Sequence, residues 1–232
     1  NMNRYVLLLN CLLICPKQLY SQHVADIAKE NPVLKVSLLP IYHIDNAFVF
    51  GAEIPLSKGR FSLQPEIGYG WGGANLLYGI SGHSENPPDK NTVRSKLQFR
   101  SYYKTGSSFR AYYGGEYSHR HMNYRQSSLD ANSIRVVTAP LHLRRTMHAV
   151  YGILGWQRYS GSRFSVDFHV GFGLQMSKNF AVTKGLSSEE LAAIRFDEMN
   201  WFRRSKRIGR YGPYPDFLGA IQLGFKLGKF NR

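Results

Sequence analysis

Two segments of the chain, residues 60–71 and 163–175, alternate strictly between apolar and polar positions. In the first, every second residue from Phe61 to Trp71 is apolar, and Ser, Gln, Glu or Gly stands between. The second repeats the pattern from Phe164 to Leu174. A period of two sustained over so long a run is incompatible with a helix and predicts two-faced β-strands.

Weaker alternation predicts six further strands, at residues 33–39, 47–55, 95–103, 109–117, 149–157 and 217–227. The faces of the strand at 149–157 cannot be assigned from its pattern. Three connections are tight Gly/Ser turns: Ser57-Lys58-Gly59, Thr105-Gly106-Ser107 and Ser160-Gly161-Ser162.

The remaining connections are long, at residues 72–94, 118–147 and 177–214, except for a short one around 43–46. Short turns on one side and long loops on the other are typical of an outer-membrane barrel. The chain is therefore predicted to be all-β: an eight-stranded antiparallel up-and-down transmembrane β-barrel with long extracellular loops, one of them partly helical.

Composition agrees with a membrane barrel. Hydrophobic residues make up 43% and aromatic residues 14% of the chain, yet mean hydropathy is −0.32. This combination arises naturally when only every second strand residue faces lipid. A soluble, lipocalin-like barrel shares the alternation, so the pattern alone does not say which face is inside.

The first 21 residues are predicted to be a secretion signal. Arg4 precedes an apolar run at residues 6–15, which Pro16 ends, and cleavage is expected between Ser21 and Gln22. The run is too short to span ~30 Å of hydrocarbon. We expect residues 22–32 to form a periplasmic N-terminal segment and residues 33–232 the barrel, in a bacterial outer membrane with both termini in the periplasm.

Three stretches carry a resemblance to a known family: VLKVSLLP, FGAEIPLSKGRFSLQPEIGYGW and LGAIQLGFKLG. With them, the chain resembles the small outer-membrane barrels of the OmpA/OmpX type, and in particular a barrel family known as a domain of unknown function. The resemblance implies the fold and the compartment, without an established activity.

Alternation divides the strand residues into two sets. The set expected to face lipid comprises Phe61, Leu63, Ile67, Tyr69, Phe164, Val166, Phe168, Val170, Phe172, Leu223 and Phe225. The set expected to form a charge network in the lumen comprises Lys35, Glu53, Glu66, Lys96, Arg100, Arg110, Glu116, Asp167, His169 and Lys226. Since an eight-stranded barrel is only wide enough for side chains, these acids and bases should pair and close it.

The same residues give little sign of an enzyme. Glu66, Asp167 and His169 could support acid–base chemistry, but they occupy interior strand positions and have no activated serine or cysteine beside them. His119 and His121 alternate as metal ligands can, although a strand end entering a loop explains them equally well. We therefore predict no catalytic residues, no metal and no cofactor.

The long loops are predicted to be basic, in a chain of net charge +15. Ser187 and Glu190 form a capping pair for a helix over 187–202, which could cap the barrel or dock on a partner. The candidate contact residues are Arg144, Arg145, Trp201, Phe202, Arg203, Arg204, Lys206, Arg207 and Arg210. Arg120, Arg125 and Arg135 are expected to lie on the same side.

Three uses of these basic loops stay open: a solvated surface, a contact with lipopolysaccharide phosphates, and a contact with a larger outer-membrane complex. Nucleic acid is not expected for a membrane-embedded chain. The favoured function is structural or accessory. The alternatives are transport of small solutes or hydrophobic ligands, and soluble periplasmic binding by a lipocalin-like barrel.

The facing assignment is testable by placing a charge on the predicted lipid side. Ile67→Lys and Phe168→Lys should each lower the free energy of unfolding by ~2–4 kcal/mol if they lie near the bilayer midplane. Urea unfolding in lipid vesicles measures this, and Gly68→Lys instead tests crowding in the lumen. Normal assembly of both apolar-position variants would refute the assignment.

Overall fold

The computed structural model describes residues 31–38, 47–57, 60–71, 89–105, 109–126, 129–131, 134–137, 141–160, 163–186, 188, 191, 194 and 207–227. They contain ten β-strands: β1 (Val33–Ser37), β2 (Ala47–Leu56), β3 (Phe61–Trp71), β4 (Asp89–Thr105), β5 (Phe109–Gln126), β6 (Leu129–Ala131), β7 (Ile134–Val137), β8 (Leu141–Ser160), β9 (Phe164–Ala181) and β10 (Gly209–Lys226).

Eight of these strands pair antiparallel in one closed ring, in the order β1-β2-β3-β4-β5-β8-β9-β10 and back to β1. The predicted eight-stranded antiparallel barrel is confirmed. β6 and β7 form a separate two-stranded sheet within the connection from β5 to β8. No sequence pattern predicts this small hairpin.

The two ends of the barrel differ. At one end, called here the turn end, short connections join β2 to β3, β4 to β5 and β8 to β9. At the opposite loop end, longer connections join β3 to β4, β5 to β8 and β9 to β10.

The barrel wall is also uneven in height. β1 has 5 residues and β2 has 10, whereas β5 has 18 and β8 has 20. β5 and β8 stay paired from Phe109 opposite Arg158 to Gln126 opposite Leu141. The side formed by β5, β8, β9 and β10, called here the tall wall, therefore projects beyond the rest at the loop end.

Several predicted strand ends are wrong: β1 ends at Ser37 rather than at 39, whereas most other errors leave a strand too short at the loop end. β5 continues to Gln126 rather than ending at residue 117, and β8 begins at Leu141 rather than at 149. β4, β9 and β10 also extend towards the loop end. The apolar alternation stops at about Tyr117 because outward positions beyond it are polar, but backbone pairing does not require apolar side chains. The predicted connections 72–94, 118–147 and 177–214 are correspondingly too long.

Burial assigns the faces of β8, which the sequence pattern leaves open. Tyr151 and Ile153 are buried inside the barrel, whereas Val150, Leu154 and Trp156 are exposed on its outer face. The pattern is ambiguous because large apolar residues occupy both faces.

Outward apolar side chains form a continuous apolar belt around the barrel, edged by aromatic rings. Near the turn end, Phe61 stacks on Phe99 with ring centroids 5.7 Å apart, and Phe164 meets Phe225 edge-on at 5.5 Å. Towards the loop end, Trp71 stacks against Phe48 at 5.7 Å and Tyr69 at 6.2 Å. An outer apolar band with an aromatic row at each edge is the exterior expected of a barrel immersed in lipid.

Among the described residues, no helix has both the length and the apolar character required to cross a membrane.

Close strand packing makes a prediction at Gly173. A methyl group built there would lie 1.9 Å from the Val150 carbonyl oxygen, which belongs to the backbone of the neighbouring strand. Gly173→Ala should therefore lower the free energy of unfolding by about 1–3 kcal/mol, as overpacking does. Urea unfolding in detergent micelles measures the loss.

Gly219→Ala is the matched control, because nothing lies within 4 Å of a methyl group at that position. Equal stability of the two variants would show that β8 and β9 do not approach as closely as described.

Candidate functional site

All ten residues of the predicted lumen network lie inside the barrel. Each is buried, with 5% or less of its surface exposed. Five bases, four acids and one histidine make up the set, so their formal charges nearly cancel. Nine of them, all except Lys226, divide into two tiers of contacts, one nearer the turn end and one nearer the middle of the barrel.

The tier nearer the turn end centres on Asp167. Its carboxylate pairs with both Lys35 and Arg100, and the Tyr112 hydroxyl donates to it at 2.6 Å. Lys35 also reaches Glu53 at 2.7 Å, so Lys35 links the two acids of this tier. Strands β1, β2, β4 and β9 are thereby joined across the lumen.

Aromatic rings hold the two arginines nearest this tier. The Arg100 guanidinium carbon lies 4.3 Å from the Tyr112 ring centroid, and that of Arg110 lies 3.5 Å from the Tyr102 ring. Tyr102 and Tyr112 meet edge-on at 5.5 Å, and the Tyr102 hydroxyl donates to Glu53. Arg100 is thus held between a carboxylate and a ring face, both of which favour positive charge, and Arg110 lies against a ring face.

The second tier centres on Glu66 and Glu116, with Lys96 between them at 3.7 Å from each. Three glutamine side chains donate to these acids. Gln64 and Gln222 reach Glu66 at 2.6 and 2.7 Å, and Gln98 reaches Glu116 at 2.6 Å. His169 lies 3.7 Å from Glu116. Glutamines were not assigned to the site from sequence, although they follow the same inward alternation as the charged residues.

Beyond the second tier, towards the loop end, the lumen becomes basic. Arg94 and Arg120 are register partners and half-buried, and Arg145 is buried opposite Met122. Asp216 accepts a hydrogen bond from the Tyr151 hydroxyl at 2.6 Å. The predicted loop positions of Arg120 and Arg145 are wrong, because the strands that carry them have polar side chains on both faces here and show no apolar alternation.

A small apolar cluster closes the inner face of β8 at the loop end. Ile194, from the connection between β9 and β10, is fully buried against Leu141 and Leu143, with Ala181, Leu186 and Ile208 packed around them. Of the two uses left open for the helix predicted over 187–202, this packing favours capping. Ser188 and Leu191 are helical, and most of the remaining predicted helix lies outside the described residues.

The residues predicted to face lipid all point outward. Ile67, Phe164 and Phe172 are 66%, 63% and 55% exposed. Phe61, Leu63 and Phe168 are partly covered by outward neighbours, as where Trp156 packs on Phe168 with ring centroids 4.8 Å apart.

The predicted basic contact residues are dispersed rather than gathered in loops. Arg144 and Arg145 lie in β8 and Arg210 lies in β10, so their loop assignment is corrected. Arg145 is 3% exposed and faces the lumen, which removes it from any outer contact surface. Arg207 is exposed just before β10, whereas Trp201, Phe202, Arg203, Arg204 and Lys206 lie outside the described residues.

His119 and His121 also lie within a strand rather than at its end. Both face outward on β5, and the His119 ring lies 4.8 Å from that of His148 on β8. Among the residues that the structure describes, no three His, Cys, Asp or Glu side chains are grouped to hold a metal ion.

Comparison with known proteins adds little to this picture. No family model matches the chain, and no curated protein matches it. Among solved structures, it is similar to the N-terminal β-barrel domain of Pseudomonas aeruginosa OprF, with 10% identity over 85% of this chain and 98% of that chain. The TM-score of this likeness is 0.38.

The lumen network predicts a strong dependence of stability on Asp167. Asp167→Ala should lower the free energy of unfolding by about 3–5 kcal/mol, since it removes the carboxylate shared by two buried cations. Urea unfolding of the purified barrel in detergent micelles measures it.

A double variant separates the charge effect from lost packing. Lys35→Met with Asp167→Leu removes a cation and an anion together, and should be less destabilising than Asp167→Ala alone. If Asp167→Ala unfolds like the unaltered protein, the network does not stabilise the barrel.

Proposed function

We propose that the chain is a non-enzymatic outer-membrane barrel with a closed lumen, serving as a structural or accessory component of the envelope. The observation that carries this proposal is the opposite character of its two faces. The outer face bears the apolar belt and its aromatic rows, while the inner face bears the paired charges.

This distribution of apolar and polar side chains argues against the lipocalin-like alternative. A soluble ligand-binding barrel places apolar side chains inside and polar side chains outside. Here Ile67, Phe164 and Val150 are among the most exposed side chains, whereas Arg100 and Asp167 are fully buried. Dissolved in water, so large an apolar surface would favour aggregation.

The lumen contacts argue equally against solute transport. An eight-stranded barrel leaves room only for its own side chains, and here contacts cross the lumen at two levels: Arg100 pairs with Asp167, and Gln222 donates to Glu66. The buried cluster around Ile194 adds cover at the loop end. A conducting path would require these buried pairs to separate, which costs several kcal/mol for each ion left unpaired.

In this proposal the turn end faces the periplasm and the tall wall projects outside the cell, as short turns and long loops do in outer-membrane barrels. The projecting wall then supplies surface for partners, including a larger outer-membrane complex.

The proposal is tested first by fractionation. The full chain should stay with the outer membrane after osmotic shock, require detergent for release, and migrate differently on a gel before and after heating. In planar bilayers the purified barrel should give no steady single-channel current, because its lumen is closed. Release by osmotic shock would refute the membrane location, and a steady current would refute the closed lumen.

A further inference from the structure

The outer face of the tall wall carries a strip of three cations beyond the apolar belt. Arg144 lies on β8, Lys178 on β9 and Arg210 on β10, in register positions that place them side by side. Lys178 and Arg210 are direct register partners, and Arg144 pairs with Phe180, two residues along β9 from Lys178. We call these three residues the cationic strip.

Like charges opposite each other on neighbouring strands destabilise a sheet. Among the described residues, none of the three cations forms an ion pair with a carboxylate; Arg144 donates to Asn123 at 3.1 Å. Arg144 and Lys178 each lie 5.5 Å from the Phe180 ring centroid, so two of the three cations contact the same aromatic ring. The arrangement becomes favourable when an external anion bridges the strip.

A cleft of about 360 Å³ adjoins the strip and shares Arg144 with it. Its other lining residues include Asn91, Asn123, Arg125 and His142. Amide, imidazole and guanidinium groups together suit a phosphate with hydroxyl groups beside it.

The height of the strip places it at the level of lipid headgroups. Lys178 lies two residues beyond the exposed Met176, and register places Arg210 and Arg144 near the level of Lys178. With about 3.3 Å per residue and a strand tilt of ~45°, the strip therefore begins roughly 5 Å past the belt. In the proposed orientation this is the headgroup layer of the outer leaflet.

We propose that the cationic strip and its cleft bind the phosphorylated saccharide of lipopolysaccharide. This inference rests on the proposed outer-membrane location and places the contact on the barrel wall. Arginine recognises phosphate through paired hydrogen bonds, and the apolar belt directly below accommodates the acyl chains. A lipid with several phosphates on one saccharide matches three cations held side by side.

The test compares two double variants of the full chain, both purified as folded barrels in detergent. Arg144→Gln with Arg210→Gln removes two charges of the strip. Arg158→Gln with Arg163→Gln removes two exposed charges near the turn end and is the matched control. Each protein is titrated with purified lipopolysaccharide, with the same material after dephosphorylation, and with phosphatidylglycerol vesicles.

The strip variant should bind intact lipopolysaccharide at least roughly tenfold more weakly than the unaltered protein, while the control stays within about twofold. Dephosphorylated lipopolysaccharide should bind both variants alike. Equal losses in the two variants, or no preference of the unaltered protein for the phosphorylated form, would overturn the inference. An equal loss of phosphatidylglycerol binding would overturn its assignment to lipopolysaccharide.

Heat-dependent migration and outer-membrane fractionation are scored first for every variant. If these fail for the unaltered chain, the proposed function is wrong. If they succeed and binding fails, only the cationic strip assignment is wrong. A second measurement does not depend on binding: without lipopolysaccharide, Arg210→Gln should leave stability unchanged or raised, because it relieves repulsion from Lys178.

Discussion

The pairing of charges across a narrow lumen is the constraint on which the rest of the barrel depends. An eight-stranded tube has no room for water around isolated ions, so each buried charge needs a partner on another strand. Asp167 forms ion pairs with Lys35 and Arg100, and Lys96 forms ion pairs with Glu66 and Glu116. Because polar contacts fill the interior, apolar residues are left for the exterior, where lipid in place of water would make them stabilising.

This arrangement, with polar side chains inside and apolar side chains outside, explains which parts of the structure were predictable from the sequence. Residues 60–71 and 163–175 show the fold class because their two faces differ sharply in polarity. The interior charges could be chosen from the same alternation. Which face of β8 points inward could not be predicted, because Tyr151 and Ile153 inside the lumen are as apolar as Val150 and Trp156 outside it.

The full length of the strands in the tall wall could not be predicted from the sequence, for a different physical reason. Strand pairing depends on backbone hydrogen bonds, and the wall beyond the belt needs no apolar outer face. His119, His121 and Asn123 therefore look like loop residues although they continue the β5 ladder. The cationic strip could not be predicted either. Its residues are neighbours only through the register of adjacent strands, and Lys178 and Arg210 are far apart along the chain.

The unequal strand lengths also bear on how the barrel forms. Hairpins β4–β5 and β8–β9 join residues that are close in sequence, so little loop entropy opposes them. Closure instead pairs Val33–Ser37 with residues near the end of the chain, through a strand of only 5 residues. Long-range contacts of this kind form slowly. The β1–β10 pairing is thus expected to be the last to form during folding.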